Sequence, residues 1–276
     1  MTRLIARIVL QRFAAAIPMM LIVSMIVFVV LRSLPADPIG MMLPPNATAA
    51  DAAALKAAYG LDRSIPEQYW IWLTHAARGD LGASISFREP VTALIGKALP
   101  ATIELSIAAL VISLLIAIPG GLALYALHRR RGELAADFGV VTLLSIPSFL
   151  WAIFLILLFG VSWPVLPFMG RVDSNVVLPN LTGFVFVDFL ATGRWRDLGG
   201  AASHIFLPAL ALALGFAPLV MRVLRSSLIE AAAGDYVNVA RLRGLSESRV
   251  LVRHMLKNAA LPTVTLIGVQ FGFLFG

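Results

Sequence analysis

Apolar runs close to 20 residues recur along this chain, and no other feature restricts its fold as much. Phe13 to Leu31, Ala101 to Leu127, Phe138 to Val161 and Ile205 to Val223 are four of them, and Leu261 to Gly276 begins a fifth. A helix needs about 20 mostly apolar residues to cross the hydrocarbon core, because lipid offers no partner to a free backbone N–H or C=O. The runs predict an all-α, multi-pass membrane protein. Composition points the same way: the chain is 59% hydrophobic and 13% charged, whereas an average soluble domain carries about 25% charged residues. A soluble enzyme fits poorly. The chain has no cysteine, which removes thiol nucleophiles, thiolate metal sites and disulfides from consideration.

The runs differ in their details. Phe13 to Leu31 follows Arg3, Arg7 and Arg12, as the apolar part of a signal peptide would. Such a segment spans about 7–15 residues and ends at a small-residue cleavage site. Here the run is longer and continues into Leu31-Arg32-Ser33-Leu34-Pro35, so an uncleaved span is predicted. Pro119, Pro147, Pro208 and Pro218 lie within the later runs and predict kinks. Leu261 to Gly276 reaches only about 24 Å at 1.5 Å per residue. That predicts a span that stops short, with further chain beyond Gly276.

Charge sets the expected orientation. The segments before the first run, between the second and third, and between the fourth and fifth hold 13 of the 22 Lys and Arg. They hold only Glu133, Asp137, Glu230, Asp235 and Glu247 against them. In the other two connections, Arg32 to Pro100 and Ser162 to His204, bases and acids balance. By the positive-inside rule the N-terminus is cytoplasmic and the balanced connections face outward. The net charge of +7 is thus accounted for by topology, and no nucleic-acid partner is implied. In the first outward connection, Asp51 to Tyr59 and Pro66 to Arg78 read as short helices. The aromatic residues Tyr69, Trp70 and Trp72 read as anchors at the membrane interface.

The connection from Arg222 to Asn258 is polar enough to leave the bilayer, yet rich in helix formers. It reads as helix, turn, helix, with Gly244 ending the first helix and Ser246 capping the second, and Glu247 near the positive end of its dipole. Val250, Leu251, Met255 and Leu256 make one apolar face. Such a helix either lies on the membrane surface or docks in a groove of another protein.

The run Asp235-Tyr236-Val237, Ala240-Arg241, Gly244-Leu245-Ser246, Arg253-His254, Asn258-Ala259 and Leu261-Pro262 resembles the inner-membrane permease subunits of ABC importers, in particular the dipeptide, oligopeptide and nickel branch. Further matching segments are Leu34-Pro35-x-Asp37-Pro38, Tyr59-Gly60-Leu61-Asp62-Arg63, Ile65-Pro66-Glu67-Gln68-Tyr69, Arg78-Gly79-Asp80-Leu81-Gly82 and Leu99-Pro100-Ala101-Thr102-x-Glu104-Leu105. They cover nearly the whole chain in order, and resemble the first of the two permeases such systems pair. The resemblance implies the type I permease fold, a bacterial inner-membrane location and no catalysis by this chain. Implied partners are a homologous second permease, two ATPase subunits that bind ATP and Mg, and an extracytoplasmic solute-binding protein. Such permeases carry a Glu-Ala-Ala-x-x-x-Gly coupling motif that seats on the ATPase. The literal Glu230-Ala231-Ala232 is out of register, since six residues on stands Tyr236. The register that works begins at Asn238 and ends on Gly244, keeping only the second Ala and the Gly. The resemblance therefore implies ATPase coupling through Asp235, Tyr236, Asn238, Ala240, Arg241, Gly244, Leu245, Ser246 and Val250.

The residues are consistent with an external energy source, because no phosphate-binding Gly-x-x-x-x-Gly-Lys-Ser/Thr loop occurs; Gly96-Lys97 lacks both flanks. An ion-gradient-driven transporter or channel is the alternative. It calls for polar groups near midplane, and Glu104, near one end of the second run, is the lone acid within a run. An intramembrane enzyme would need a nucleophile or metal cluster, and His75, His128, His204 and His254 have no ligand spacing. Arg171, Asp173, Arg194, Arg196 and Asp197 read as a solvated face. The expected division is residues 1–31 as cytoplasmic N-terminus and first span, 32–100 as the outer segment, and 101–276 as the permease domain with its coupling loop at 222–258.

Overall fold

A computed structural model describes residues 2–34, 40, 43, 47–58, 60–84 and 86–275. Pro35 to Pro38, Asn46, Tyr59 and Gly276 lie outside the described residues, and with them parts of two matching segments and the end of the fifth run. The chain divides into two compact units, residues 1–96 and 97–276. Among the described residues the structure is helical apart from one isolated bridge between Ala83 and Pro90.

The first unit contains α1 (Thr2–Ser33), α2 (Ala49–Ala58) and α3 (Ile65–Ala76). The two short helices match their predicted positions to within two residues. Pro66 sits in the first turn of α3, where its missing N–H costs nothing. The aromatic residues of α3 behave differently from expectation. Tyr69 donates its hydroxyl to the Leu21 carbonyl at 3.1 Å and lies 2.9 Å from Ser24 Oγ, both on α1. Its ring and that of Trp72 pack on Phe28 at 5.5 and 6.0 Å. Tyr69 and Trp72 thus tie two helices together, and Trp70 alone of the three points outward.

In the second unit, which begins at Lys97, lie most of α4 (Val91–Ala126) and then α5 (Glu133–Ser145), α6 (Ser148–Leu155) and a π-helical turn, Ile156–Ser162. After these come α7 (Val185–Ala191), α8 (Trp195–Ala232), α9 (Asp235–Leu242), α10 (Glu247–Val250), a second π-helical turn at Leu251–Met255, and α11 (Leu256–Phe273). Among the described residues three helices are long and apolar enough to cross a membrane: Ala6–Ser33 within α1, and all of α4 and α8. The predicted third span is two helices bent by 91° at Ile146-Pro147. A proline drives the residue before it out of the α region, and Ile146 is extended, with φ −89° and ψ 116°. By contrast Pro119, Pro208 and Pro218 stay inside continuous helices. The predicted fifth span forms as α11, but α11 is not among the helices long and apolar enough to cross.

The 38-residue α8 organises this unit, packing against α11, α6, α5 and α7. Small residues set the approach of α4 and α8. A Cβ on Gly120 would stand 2.6 Å from Met221 Cε, and one on Gly121 2.9 Å from Leu224 Cδ2. Lipid supplies no hydrophobic force between helices, so close packing of side chains onto glycine helps to replace it.

Candidate functional site

One end of α8 builds the segment singled out as the coupling loop. Its outline departs from a simple helix, turn, helix. Arg222 to Ala232 are the last turns of α8, so Glu230-Ala231-Ala232 ends a long helix, and the chain breaks at Ala233-Gly234 before α9 starts. The second helix does not stop at Asn258, because α10, the π-helical turn and α11 follow one another without interruption. The short helix α9 is therefore joined at both ends to long helices.

The turn after α9 forms as its sequence predicts. Gly244 adopts φ +74°, donates its N–H to the Arg241 carbonyl at 2.9 Å and is followed by Leu245 N–H on the Ala240 carbonyl. Nothing lies within 4 Å of a Cβ added to Gly244, so the glycine is required by backbone conformation alone. Ser246 occupies the cap position of α10, although its side chain does not bond the helix N–H groups. Arg241 instead closes the turn, its guanidinium on the Glu247 carboxylate at 2.9 and 3.2 Å. That bidentate contact, helped by Tyr125, raises the guanidinium pKa further above its ordinary value.

Beneath the turn, Val237, Ala240, Val250, Met255 and Ala259 are buried together with Leu224, Leu228 and Ala231 of α8. Val250 and Met255 stand five residues apart, a spacing that an α-helix would spread around its axis. The π-helical turn between them brings both to one face. Of the nine coupling candidates, Ala240 and Val250 belong to this core and Leu245 is half-buried against it. Asp235, Tyr236, Asn238, Arg241, Gly244 and Ser246 are exposed. Val239, Leu242 and Arg243, within the same segment but not among the nine, are exposed on the side of α9 away from Val237 and Ala240. Placing Val237 and Ala240 inward on a helical projection was the signal that could have found them. One turn further back, Arg225 of α8 reaches both Glu133 and Asp137 of α5, and His128 Nδ1 meets Glu133 at 2.8 Å.

At the other end of α8 the predicted solvated face is largely a packed polar layer. Arg171 donates to Glu104 at 2.6 Å and to the Gly183 carbonyl at 3.0 Å. The second Glu104 oxygen accepts the Phe186 N–H at 2.9 Å, serving the free N-terminus of α7 from another helix. Asp188 is buried and accepts from Leu181 N–H, Thr182 N–H and the Thr182 hydroxyl, at 3.0, 2.9 and 2.6 Å. The Thr182 hydroxyl first, and then the backbone N–H groups, hold its carboxyl below the ordinary range. Arg194 lies over the Phe189 ring and binds Asp197 at 2.6 Å. Arg171 failed to read as structural because its partner Glu104 is 67 residues away, and Asp173 and Arg196 remain exposed as expected. Among the described residues no group of three or more His, Asp or Glu is placed to hold a metal.

Residues 117–276 match the family described as the inner membrane component of binding-protein-dependent transport systems, and residues 5–108 match the N-terminal component of the same systems. The chain belongs to that family. A Brucella suis biovar 1 protein provisionally named as a peptide permease is 38% identical over 98% of this chain and 80% of its own length. The dipeptide transport system permease protein DppB of Escherichia coli K12 is 34% identical, over 96% and 80%. The glutathione transport system permease protein GsiC of Salmonella choleraesuis is 32% identical, over 97% and 78%. This permease is accordingly a membrane-embedded transport subunit of an ATP-driven importer, whose ATP hydrolysis belongs to separate subunits. An ion-gradient-driven mechanism is not favoured.

Proposed function

We propose that this permease moves short peptides inward, pairs with a homologous second permease, and takes its energy from two ATPase subunits through the segment Asp235 to Val250. Solute arrives from an extracytoplasmic binding protein. The N-terminus and the α9 end of α8 face the cytoplasm, residues 32–100 face outward, and the bilayer surrounds residues 1–31 and the long helices of 101–276. The peptide class rests on the names of the relatives, and the orientation on the excess of Lys and Arg.

The observation that carries the coupling assignment is the mounting of α9. Its inner face, Val237 and Ala240, is packed on α8 and on the helix that continues into α11, while Tyr236, Val239, Leu242 and Arg243 are offered outward. A helix held this way moves only with α8 and α11, so a push on its outer face becomes a rigid-body shift of both.

The turn at Gly244 provides the test. A β-branched residue at φ +74° costs about 1–2 kcal/mol, whereas Asn tolerates that conformation. Gly244→Val should lose most uptake and most co-purifying ATPase while inserting at normal levels, and Gly244→Asn should retain both. Normal uptake with normal ATPase recovery in Gly244→Val would refute the assignment.

A further inference from the structure

Behind the layer of charged residues around Glu104 lies a half-open cavity of about 150 Å³, lined by Glu104, Arg171 and His204 and by apolar residues including Leu105, Ile205 and Pro208. Its side chains are unequally buried. The Glu104 side chain is 9% exposed and that of His204 4%, while Arg171 is a third exposed. His204 Nδ1 lies 3.0 Å from the Gly200 carbonyl. A carbonyl can only accept, so Nδ1 carries a proton, and in the singly protonated ring this makes Nε2 the acceptor. Asp173 Oδ1 stands 3.7 Å from Nε2, beyond hydrogen-bond reach, and Asp173 is itself well exposed. The cavity thus joins two buried acceptors, a carboxylate and an imidazole nitrogen without a hydrogen bond. Its one permanent cation stands at the more exposed edge.

We propose that this cavity receives the amino-terminal ammonium of the solute, which takes the place of Arg171 on Glu104 and donates to His204 Nε2. The inference rests on the peptide reading above. An ammonium carries three donors and one positive charge, the complement of these two acceptors. The volume is well below that of a pocket for a whole drug-sized ligand, so it suits one end of a peptide whose remainder lies along the path. The exchange also has a structural consequence. Arg171 is bound to the Gly183 carbonyl as well as to Glu104, so displacing it loosens the segment before α7, whereas the Phe186 N–H keeps its acceptor.

A purely structural ion pair and an exchangeable one predict opposite results for its two partners. Binding of a dipeptide with a free amino terminus, and of its N-acetyl form, is measured on the purified permease–ATPase complex without binding protein. Glu104→Gln preserves an acceptor for Phe186 N–H but removes the charge. It should weaken binding of the free dipeptide by about 30-fold or more and abolish the preference over the acetylated form. Arg171→Gln removes the competitor and leaves Glu104 unpaired, so it should bind the free dipeptide several-fold tighter and gain more thermal stability from it than the wild-type complex. Arg171→Lys, which retains the charge, covers the case in which Arg171→Gln fails to assemble, and should weaken the exchange less than Glu104→Gln. If Glu104→Gln and the Arg171 variants lose binding together, or if the wild-type complex binds both dipeptides equally, the inference is overturned. Uptake of dipeptide by the complete importer separates this from the wider reading. Normal uptake with no preference in binding removes the ammonium site alone, and no uptake of any peptide removes the peptide class too.

Discussion

The two ends of α8 mix the same kinds of contact in different proportion: a small apolar cluster of Val185, Phe189 and Ala201 accompanies a polar layer at one end, and Arg225 with Glu133 and Asp137 accompanies a larger apolar cluster at the other. Near Trp195 to His204 the surrounding segments are held by charge and hydrogen bonding: Glu104 with Arg171 and Phe186, and Asp188 with Thr182. Near Leu224 to Ala232 the neighbours are held by an apolar cluster that includes Val237, Val250 and Met255. The difference matters for an importer. A polar contact can be traded for an equivalent one offered by a ligand or by water, so a segment fixed that way can let go. An apolar contact has no such substitute, and elements joined by it move as one body. The first arrangement suits a place where solute is admitted, the second a place where force is passed on.

The largest effect should come from putting a charge into the apolar end. Val237 is fully buried against α8, and an unpaired carboxylate there is so costly that the segment must open to hydrate it. Val237→Asp should detach α9 from α8 and abolish coupled uptake, with the coupling segment becoming accessible to limited proteolysis. A protected segment in this variant would mean that the cluster is not what fixes α9. The isosteric Val237→Thr, which exchanges one methyl for a hydroxyl, should fall between it and the wild type.

At the polar end the effect should be smaller and set by pH. Asp188 has its pKa depressed in the folded protein, so its contribution is present above the unfolded value, about 3.9, and is lost as pH falls through the folded one. Asp188→Asn should reproduce at neutral pH the loosening that acid causes in the wild type, read as faster hydrogen exchange of the Leu181 and Thr182 amides. Equal exchange in the two proteins at pH 7 would show that Asp188 does not organise the loop. At the other end the depressed carboxyl is Glu133, held down by His128 and the Arg129 N–H and lying on α5, so exchange within α9, which rests on Val237 and Ala240, should change less over the same range.

The contrast also explains what the sequence made legible. Runs of apolar residues announced the long helices, and Gly244 announced its turn, because both are decided by neighbouring residues and local backbone geometry. Pro147 was visible as a perturbation, but whether a proline bends a helix or breaks it depends on packing: Pro208 and Pro218 are accommodated within α8 and Pro147 is not. Arg171 was read as solvated because its partner lies across the fold, Glu104 being 67 residues away. The coupling face was half legible. The spacing located α9 and its turn, yet which of its residues point inward was settled by contact with α8, a helix whose end the sequence had placed too early.

The smallest predicted effect tests how far the α9 turn depends on charge at all. Arg241 and Glu247 bridge the turn, but Glu247 is mostly exposed, and ion pairs in water typically contribute about 0–1 kcal/mol. The raised Arg241 pKa contributes stability fully present below the unfolded value and lost only as pH rises through the folded one. Both lie far above neutrality, so this pair should add no pH dependence between about pH 6 and 8. Arg241→Gln should therefore lower thermal stability by less than about 1 kcal/mol, with the difference shrinking further in high salt. If uptake nevertheless falls steeply in Arg241→Gln while stability is unchanged, the guanidinium acts on the ATPase directly. The coupling face would then extend from Tyr236, Val239 and Leu242 around to the turn itself.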